Sequence, residues 1–236
     1  MKLFELFLFP ALSIFTILFS IEENHPPAVK IISPKSNSAF PLNSAIRYAI
    51  SVSDKEDGDS KFSEIAANEV FLEVVYYSDS VKINAELKKP VVNDAPGLAI
   101  IKTSNCFNCH GFNTKIIGPS FYEISKRYAG NNANIDIVAK RIRDGSAGVW
   151  GAVGMPTHPE ISEAQSKEIV KWILDKGALP NVNYYSGTEG SFRIKSPESA
   201  PGKSYFLLTA SYTDHGIKEV ANSKLKGEDK IIITSK

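Results

Sequence analysis

Cysteine placement constrains this chain more than any other feature of its sequence. The 236 residues contain two cysteines, Cys106 and Cys109, and His110 follows directly in the run Cys-Phe-Asn-Cys-His. A structural zinc site would need two further thiolate or imidazole ligands at suitable spacing, and the chain has no second cysteine pair. A thioredoxin-like dithiol would lie in a βαβ context, which the surrounding sequence does not resemble. Neither of these uses of a Cys-x-x-Cys pair fits.

Covalent haem attachment is the interpretation that remains. Two thiols can add across the haem vinyl groups while the imidazole reaches the iron from the same short turn. The motif therefore predicts one covalently bound haem c, attached at Cys106 and Cys109, with His110 as an axial iron ligand. Both cysteines are then used, so we expect no disulfide, and the folded chain must be stabilised by its cores and its cofactor.

The second axial ligand comes from a short set of candidates. Met155 is the only methionine besides the initiator and lies in the rigid turn Gly154-Met155-Pro156, three residues before His158. His25 and His215 fall outside the helical part of the sequence, so we interpret them as linker or turn residues. A thioether ligand raises the haem potential, whereas a second imidazole would lower it. We favour Met155 and keep His158 as its rival.

The first 23 residues predict export. An apolar stretch over 6–21 follows Lys2, as in a signal peptide. The run Phe19-Ser20-Ile21 lacks the small-x-small cleavage pattern, so an uncleaved N-terminal membrane anchor is the alternative. No cysteine lies near residue 20, which excludes lipoprotein attachment. We expect a periplasmic or extracellular location, with or without that anchor.

Hydrophobic periodicity changes twice along the chain, from strand to helix and back. Alternation of apolar residues, as at Ile46, Tyr48 and Ile50, is typical of a half-buried strand. Strands are predicted at 29–32, 45–52, 70–77, 191–194, 205–212 and 230–234. Three strands make a poor sandwich core, whereas six approach the number in an immunoglobulin-like domain. We therefore predict one discontinuous all-β sandwich, 26–90 with 184–236, and an inserted α-helical domain at 94–180.

Capping residues mark the predicted helices. Asp94 and Asn134 are expected to cap two of them, and Ser162 begins a capping-box pattern for a third. Gly145 and Gly177 are expected to follow the ends of the second and third helices.

The acidic run Asp-Lys-Glu-Asp-Gly-Asp at 54–59 predicts a turn. Its carboxylates could hold calcium, but the run lacks the spacing and the distal glutamate of a helix-loop-helix calcium site. We favour a solvated turn.

Residues 98–177 resemble the small bacterial monohaem cytochromes c of class I. The motifs that carry the resemblance are Cys106-Phe-Asn-Cys-His110, Ile117-Gly118-Pro119-Ser120-Phe121-Tyr122, Lys140-Arg141-Ile142-Arg143-Asp144-Gly145, Gly148-Val149-Trp150-Gly151, Met155-Pro156 and Ile169-Val170-Lys171-Trp172-Ile173-Leu174. The resemblance covers about a third of the chain and is highly specific. It implies an α-helical class I fold around a single haem with histidine and methionine ligands.

The same resemblance implies further roles in the haem pocket. The Pro119 carbonyl would accept a hydrogen bond from the outer nitrogen of His110, and Arg141 and Trp150 would reach the haem propionates. Their ordinary alternatives are a solvated helix residue for Arg141 and a core ring for Trp150. Where the family often places an amide three residues after the methionine, this chain has His158, which could tune the potential or compete for iron.

The flanking segments are similar to the first and last strands of bacterial Ig-like or PKD-like modules. The matching stretches are 26–31, 52–58 and 205–214. Such modules accompany cytochrome domains in multidomain extracellular sugar dehydrogenases.

These features together predict an electron carrier rather than an enzyme, because two axial ligands leave the iron no open site. The redox partner would be a protein such as a dehydrogenase or a terminal oxidase. A net charge of +1 and the lack of a basic run with interleaved aromatics argue against a nucleic-acid partner. The alternatives are a haem peroxidase or gas sensor with a labile methionine, and an interaction module that docks a haem relay onto a dehydrogenase.

Overall fold

The computed structural model describes residues 23–129, 132–196 and 202–236. The predicted export segment, with its anchor alternative, lies outside them except for its last residue. Within the described ranges, no helix is long and apolar enough to span a membrane.

Strands flank a helical middle in the described part of the chain, as the periodicity predicts. The nine strands are β1 (Ala28–Ser33), β2 (Ala39–Phe40), β3 (Ala45–Asp54), β4 (Gly58–Asp59), β5 (Phe71–Tyr77), β6 (Val182–Ser186), β7 (Glu189–Arg193), β8 (Tyr205–Thr213) and β9 (Lys226–Ser235). The five α-helices are α1 (Ser80–Leu87), α2 (Pro96–Thr103), α3 (Phe121–Tyr128), α4 (Asn132–Asp144) and α5 (Glu163–Lys176). The sequence pattern missed three strands: β2 and β4 have two residues each, and β6 begins two residues after Pro180.

Two sheets combine strands from before and after the helices. In one sheet, β3 pairs with β1, β4 and β7; in the other, the strand order is β2-β9-β8-β5-β6. Because β5 pairs antiparallel with both β6 and β8, the two ends of the helical segment leave and enter the same sheet.

The two sheets pack against each other through one apolar core. The first sheet, with the residue that follows β7, contributes the buried side chains Ile31, Ile46, Tyr48, Ile50, Val52, Phe192 and Ile194. The second sheet contributes Leu72, Val74, Phe206, Leu208, Tyr212, Ile231 and Ile233, among others. The alternation of buried residues in β3 matches the periodicity seen in the sequence. The arrangement is a β-rich unit of two layers.

The second sheet is apolar on its outer face as well. Successive residues of a strand point to opposite faces, so Leu72 and Val74 enter the sandwich core while Phe71 and Val75 turn toward the helices. In β8, Leu207 likewise packs under α1. This explains why seven consecutive residues of β8 are buried, a pattern that two-sided burial produces.

The start of α5 agrees with its predicted cap, whereas two other caps were wrong. Ser162 and Gln165 form a capping box. Asp94 does not cap α2, because Ala95 holds the N-cap position and the Asp94 carboxylate is paired with lysines instead. Asn134 lies inside α4 and donates its amide to the Tyr128 carbonyl at 3.0 Å.

Aromatic rings join the helical part to the outer face of the sheet. Phe71 meets Phe107 edge-on at 5.3 Å between ring centroids. Tyr184 of β6 lies 5.0 Å from Phe112 and 5.4 Å from Trp172, and all three rings are buried. Trp172 is therefore a packing residue at this junction. The helices and the sheet share one core rather than meeting at a polar surface.

A buried ion-pair network completes the junction. The Asp94 carboxylate lies 2.7 Å from Lys102 of α2 and 2.7 Å from Lys226 of β9, and Lys226 also lies 2.6 Å from Glu228. Burial raises the pKa of Asp94, but the two ammonium groups outweigh it and hold that pKa below its usual value. The network therefore stabilises the fold at pH values above the unfolded-state pKa of Asp94. This stabilisation is lost as the pH falls through the folded-state pKa of Asp94.

We predict that Asp94→Ala lowers the free energy of unfolding by roughly 3–5 kcal/mol, because it leaves two buried lysines without their shared counter-ion. The matched control is Asp175→Ala, since the Asp175 side chain is 70 % exposed and its lysine pair contributes about 0–1 kcal/mol. Denaturant unfolding monitored by tryptophan fluorescence measures both. Equal losses in the two variants would show that the network does not stabilise the junction.

Candidate functional site

A single turn places the attachment residues on one wall of a cavity. Asn105 adopts a left-handed conformation (φ 56°) and starts a 3-10 turn, Cys106–Asn108. The His110 amide then donates to the Cys106 carbonyl at 2.9 Å. As a result Cys106, Cys109 and His110 all line the same cavity.

The His110 ring is held firmly on one side. Its Nδ1 lies 2.6 Å from the Pro119 carbonyl oxygen, which can only accept, so the ring nitrogen donates and Nε2 is left free. Phe121 stacks on the imidazole at 5.8 Å with an interplanar angle of 12°. Burial lowers the pKa of His110, and its Pro119 hydrogen bond opposes that shift only in part. A neutral imidazole with a free Nε2 is the form that binds a metal.

The cavity walls are mainly apolar. The space between the lining atoms measures about 1030 Å³, part of it open to solvent. Apolar lining residues include Ile117, Ile124, Val138, Ile142, Val149, Val153, Ile161, Ile169 and Ile173.

Met155 and His158 line this cavity too. Two backbone hydrogen bonds of 3.1 and 2.7 Å join Met155 to Ser146, and Gly145 makes the necessary turn at φ +78°. The Met155 side chain is half-buried and packs against the helical core. His158 is 22 % exposed and its Nδ1 lies 2.8 Å from the Glu160 carboxylate. The structure therefore brings both predicted rivals to the site.

His25 and His215 lie elsewhere, in the β-rich part. The His25 ring contacts Glu56 at 2.8 Å, and the His215 ring lies between Asp57 and Glu69.

Arg141 and Trp150 line the cavity, and each contacts a residue that the sequence analysis did not identify. The Arg141 guanidinium donates to the Tyr128 hydroxyl. The Arg127 guanidinium lies 4.6 Å from the Trp150 ring centroid and also donates to the Val149 carbonyl at 3.0 Å. Sequence reasoning missed Arg127 and Tyr128. The only sequence signal for these two residues was their position at the end of α3. The sequence analysis also missed the capping box of Ser120 and Glu123 that begins this helix.

The donor set fits a covalently held haem. Burial raises the pKa of the Cys106 thiol to about 11, so this sulfur is a neutral thiol before attachment. Two adjacent thiols, an imidazole with a free nitrogen, a thioether and apolar walls meet in one cavity. A haem c-binding domain of the class I type has this combination.

Comparison with known proteins agrees with this class. The Cytochrome c family model matches residues 95–176. Cytochrome c-551 of Azotobacter vinelandii is 40% identical over 78 residues, which are 33% of this chain and 94% of that protein. Cytochrome c-552 of Hydrogenobacter thermophilus is 36% identical over 75 residues, 32% of this chain and 76% of that protein. The crystal structure of Nitrosomonas europaea cytochrome c552 is 36% identical, covers 33% of this chain and 96% of that chain, and gives a TM-score of 0.32.

The chain belongs to the cytochrome c family, with a class I domain of the c-551 and c-552 type at residues 95–176. Members of this family carry covalently bound haem c, and Cys106 and Cys109 supply the attachment motif. The homologues are electron carriers that work with a redox partner protein, and cytochromes of this type are exported to the periplasm.

We predict that Gly118→Ala destabilises the holoprotein by about 1–3 kcal/mol, the usual cost of overpacking. A Cβ on Gly118 would lie 2.5 Å from the His110 ring, so the imidazole must move. Gly154→Ala is the matched control, because its Cβ would meet no atom closer than 3.6 Å. Denaturant unfolding followed by haem absorbance measures both. A harmless Gly118→Ala would mean that the imidazole is not held in this position.

Proposed function

We propose that this protein carries single electrons between proteins in the periplasm, with the haem iron bound by His110 and Met155. Bound in this cavity, haem c supplies one-electron cycling between ferric and ferrous iron. The observation that carries the proposal is the 2.6 Å hydrogen bond between His110 Nδ1 and the Pro119 carbonyl. It leaves Nε2 free for a metal in the same cavity that Met155 lines.

Several contacts favour Met155 over His158 as the second ligand. The Met155 thioether side chain packs against the apolar core, where a soft, uncharged ligand costs little to bury. His158 is drawn toward Glu160, whose side chain is 60 % exposed, although its Nε2 stays free and keeps it a rival. A thioether ligand would also raise the potential, which suits a carrier that accepts electrons readily.

The apolar walls serve electron transfer rather than catalysis. Buried side chains such as Ile142, Ile169 and Ile173 exclude water from the ligand side of the cavity. An environment with few mobile dipoles rearranges little when the charge on the site changes. Ligands on both axial positions would leave no site for a substrate, so we propose a carrier and not an enzyme.

Exposed apolar residues surround the cavity mouth and suggest where electrons enter. Ile117 and Val153 line the cavity while their side chains face solvent, and Ile116 is exposed beside them. Exposed apolar residues at the mouth suit brief contact with a redox partner such as a dehydrogenase or a terminal oxidase.

We also propose that the strands form one discontinuous module, 26–90 with 184–236, of Ig-like character, with the cytochrome domain at 94–180 inserted into it. The antiparallel pairing of β5 with β6 and β8 supports this division. The shared aromatic core supports a haem relay held rigidly on that module rather than swinging on a linker. The module would dock the relay onto its partner.

We predict that Met155→His abolishes the near-infrared charge-transfer band of ferric haem with sulfur ligation. It should also lower the midpoint potential by a sizeable part of the roughly 0.8 V range that axial ligands control. His158→Ala is the control and should keep both the band and the potential nearly unchanged. A wild-type protein without that band, or its loss in His158→Ala alone, would move the assignment to His158.

Carbon monoxide distinguishes a carrier from a peroxidase or gas sensor. The ferrous wild-type protein should bind it slowly or not at all, whereas Met155→Ala should bind it rapidly because that variant opens an axial position. Rapid binding by the wild type would contradict a saturated histidine and methionine site.

We predict that Val153→Lys lowers the electron self-exchange rate of the protein about tenfold or more, because two like charges would face each other when two cavity mouths meet. Val81→Lys is the matched control, since Val81 is exposed to a similar extent but lies on α1 and does not line the cavity. Line broadening in NMR spectra of mixed oxidised and reduced protein measures the rate. Equal slowing by both variants would place electron entry elsewhere.

A further inference from the structure

The ring of Phe121 covers one face of the His110 imidazole. The two rings are nearly parallel, with 5.8 Å between their centroids and an interplanar angle of 12°. The hydrogen bond to Pro119 fixes the position of one imidazole nitrogen, whereas the plane of the ring also depends on the surface packed against it. The plane of the imidazole is therefore held only as firmly as Phe121 is.

Three buried aromatic rings hold Phe121 by edge-on contacts. Their centroids lie 5.3, 6.4 and 6.1 Å from the Phe121 centroid, at interplanar angles of 82°, 84° and 90°, and they belong to Phe107, Phe112 and Trp172. Edge-on contact at such distances is an arrangement that aromatic rings prefer. Because the interior is closely packed, Phe121 can shift only if at least one of these rings shifts with it.

Each of these three rings packs against a ring of the second sheet. Phe71 of β5 meets Phe107 at 5.3 Å between centroids, with an interplanar angle of 62°. Tyr184 of β6 lies 5.0 Å from Phe112 and 5.4 Å from Trp172, at angles of 57° and 66°. The two rings from the sheet therefore form an outer layer around the three inner rings.

The two rings from the sheet are themselves well fixed. Phe71 is 2 % exposed, and the Lys102 ammonium lies 4.8 Å from its ring centroid. The Tyr184 hydroxyl donates to the carboxylate of Glu73, which lies directly opposite Tyr184 on the paired strand β5. Because both rings stand on hydrogen-bonded neighbouring strands, the pairing of β5 with β6 sets the distance between them.

We infer that Phe71 and Tyr184 are positioning residues for His110, so that the β-rich part of the chain supplies part of the haem site. The inference rests on the proposed function, in which His110 is an iron ligand. Both rings act through the aromatic cluster around Phe121, and neither has to touch the haem. Residues behind a metal-bound histidine commonly orient its ring in this way. Here the outer part of that support comes from the sheet.

The plane of an axial imidazole affects a property that can be measured directly. In low-spin ferric haem, this plane determines how the unpaired electron is distributed over the four haem methyl groups. An imidazole held in one plane separates the methyl resonances in proton NMR spectra, whereas an imidazole that samples several planes averages them and narrows their spread. The methyl spread therefore reports the orientation of His110 separately from the stability of the fold.

Proton NMR of the haem-loaded, full-length ferric protein tests the inference. Phe71→Leu keeps apolar bulk but removes the ring, so we expect a narrower methyl spread and a changed midpoint potential. Phe206→Leu is the matched control, because Phe206 is also 2 % exposed but lies in the sandwich core, where its ring meets Tyr76 at 5.6 Å. This control should lose comparable stability and keep the methyl spread of the wild type.

Tyr184 gives a second pair of variants. Tyr184→Leu removes the ring and should narrow the spread, whereas Tyr184→Phe loses only the hydroxyl and should keep it. An unchanged spread in both ring-removing variants, or equal narrowing in Phe206→Leu, overturns the inference and leaves iron ligation by His110 intact. A wild-type protein without the spectrum of a low-spin, histidine-ligated haem contradicts the proposed function, and the inference is overturned with it.

Discussion

The hydrogen bond from the His110 imidazole to the Pro119 carbonyl is the interaction on which the haem site depends. It fixes the ring and sets which nitrogen is protonated, so that the other nitrogen has the form that the proposed iron ligation requires. The Cys106–Asn108 turn sets the backbone path through the attachment residues, whereas this bond orients the ring of the proposed ligand. Gly118 is small because the imidazole lies against it, and Phe121 covers the ring face. Three positions within four residues thus serve one side chain.

The haem-binding domain is built onto the β-rich part through apolar and charged contacts. Phe71 and Tyr184 present aromatic rings on the outer face of the second sheet, and the helices cover that face. Asp94 then joins a lysine of α2 to a lysine of β9. A sheet with two apolar faces needs a cover on each, so removing the helices would expose rings that are now buried. The haem site therefore has a fixed orientation relative to the strands.

Buried charge needs a partner, and the buried acids of the β-rich part and its junction find two kinds of partner. Near the helices, Asp94 has two lysines. Asp54 and Asp214 instead have backbone and amide donors but no cationic side chain within the described residues. Asp94 is therefore paired with charged groups, whereas Asp54 and Asp214 accept hydrogen bonds from N–H groups.

The sequence by itself determined the attachment motif, the short set of axial candidates and the β-α-β order of the elements, because each depends on spacing within one segment. Only the tertiary structure decided which residues from other segments contact the residues of the site and of the junction. Arg127 meets Trp150 because α3 and the loop after α4 fold together, and no local pattern encodes that contact. The position of Asp94 before α2 fits a helix N-cap. Its carboxylate instead pairs with two lysines that lie far apart in the sequence. The pairing of β5 with β6 and β8 likewise joins segments on both sides of the helices, which periodicity alone does not specify.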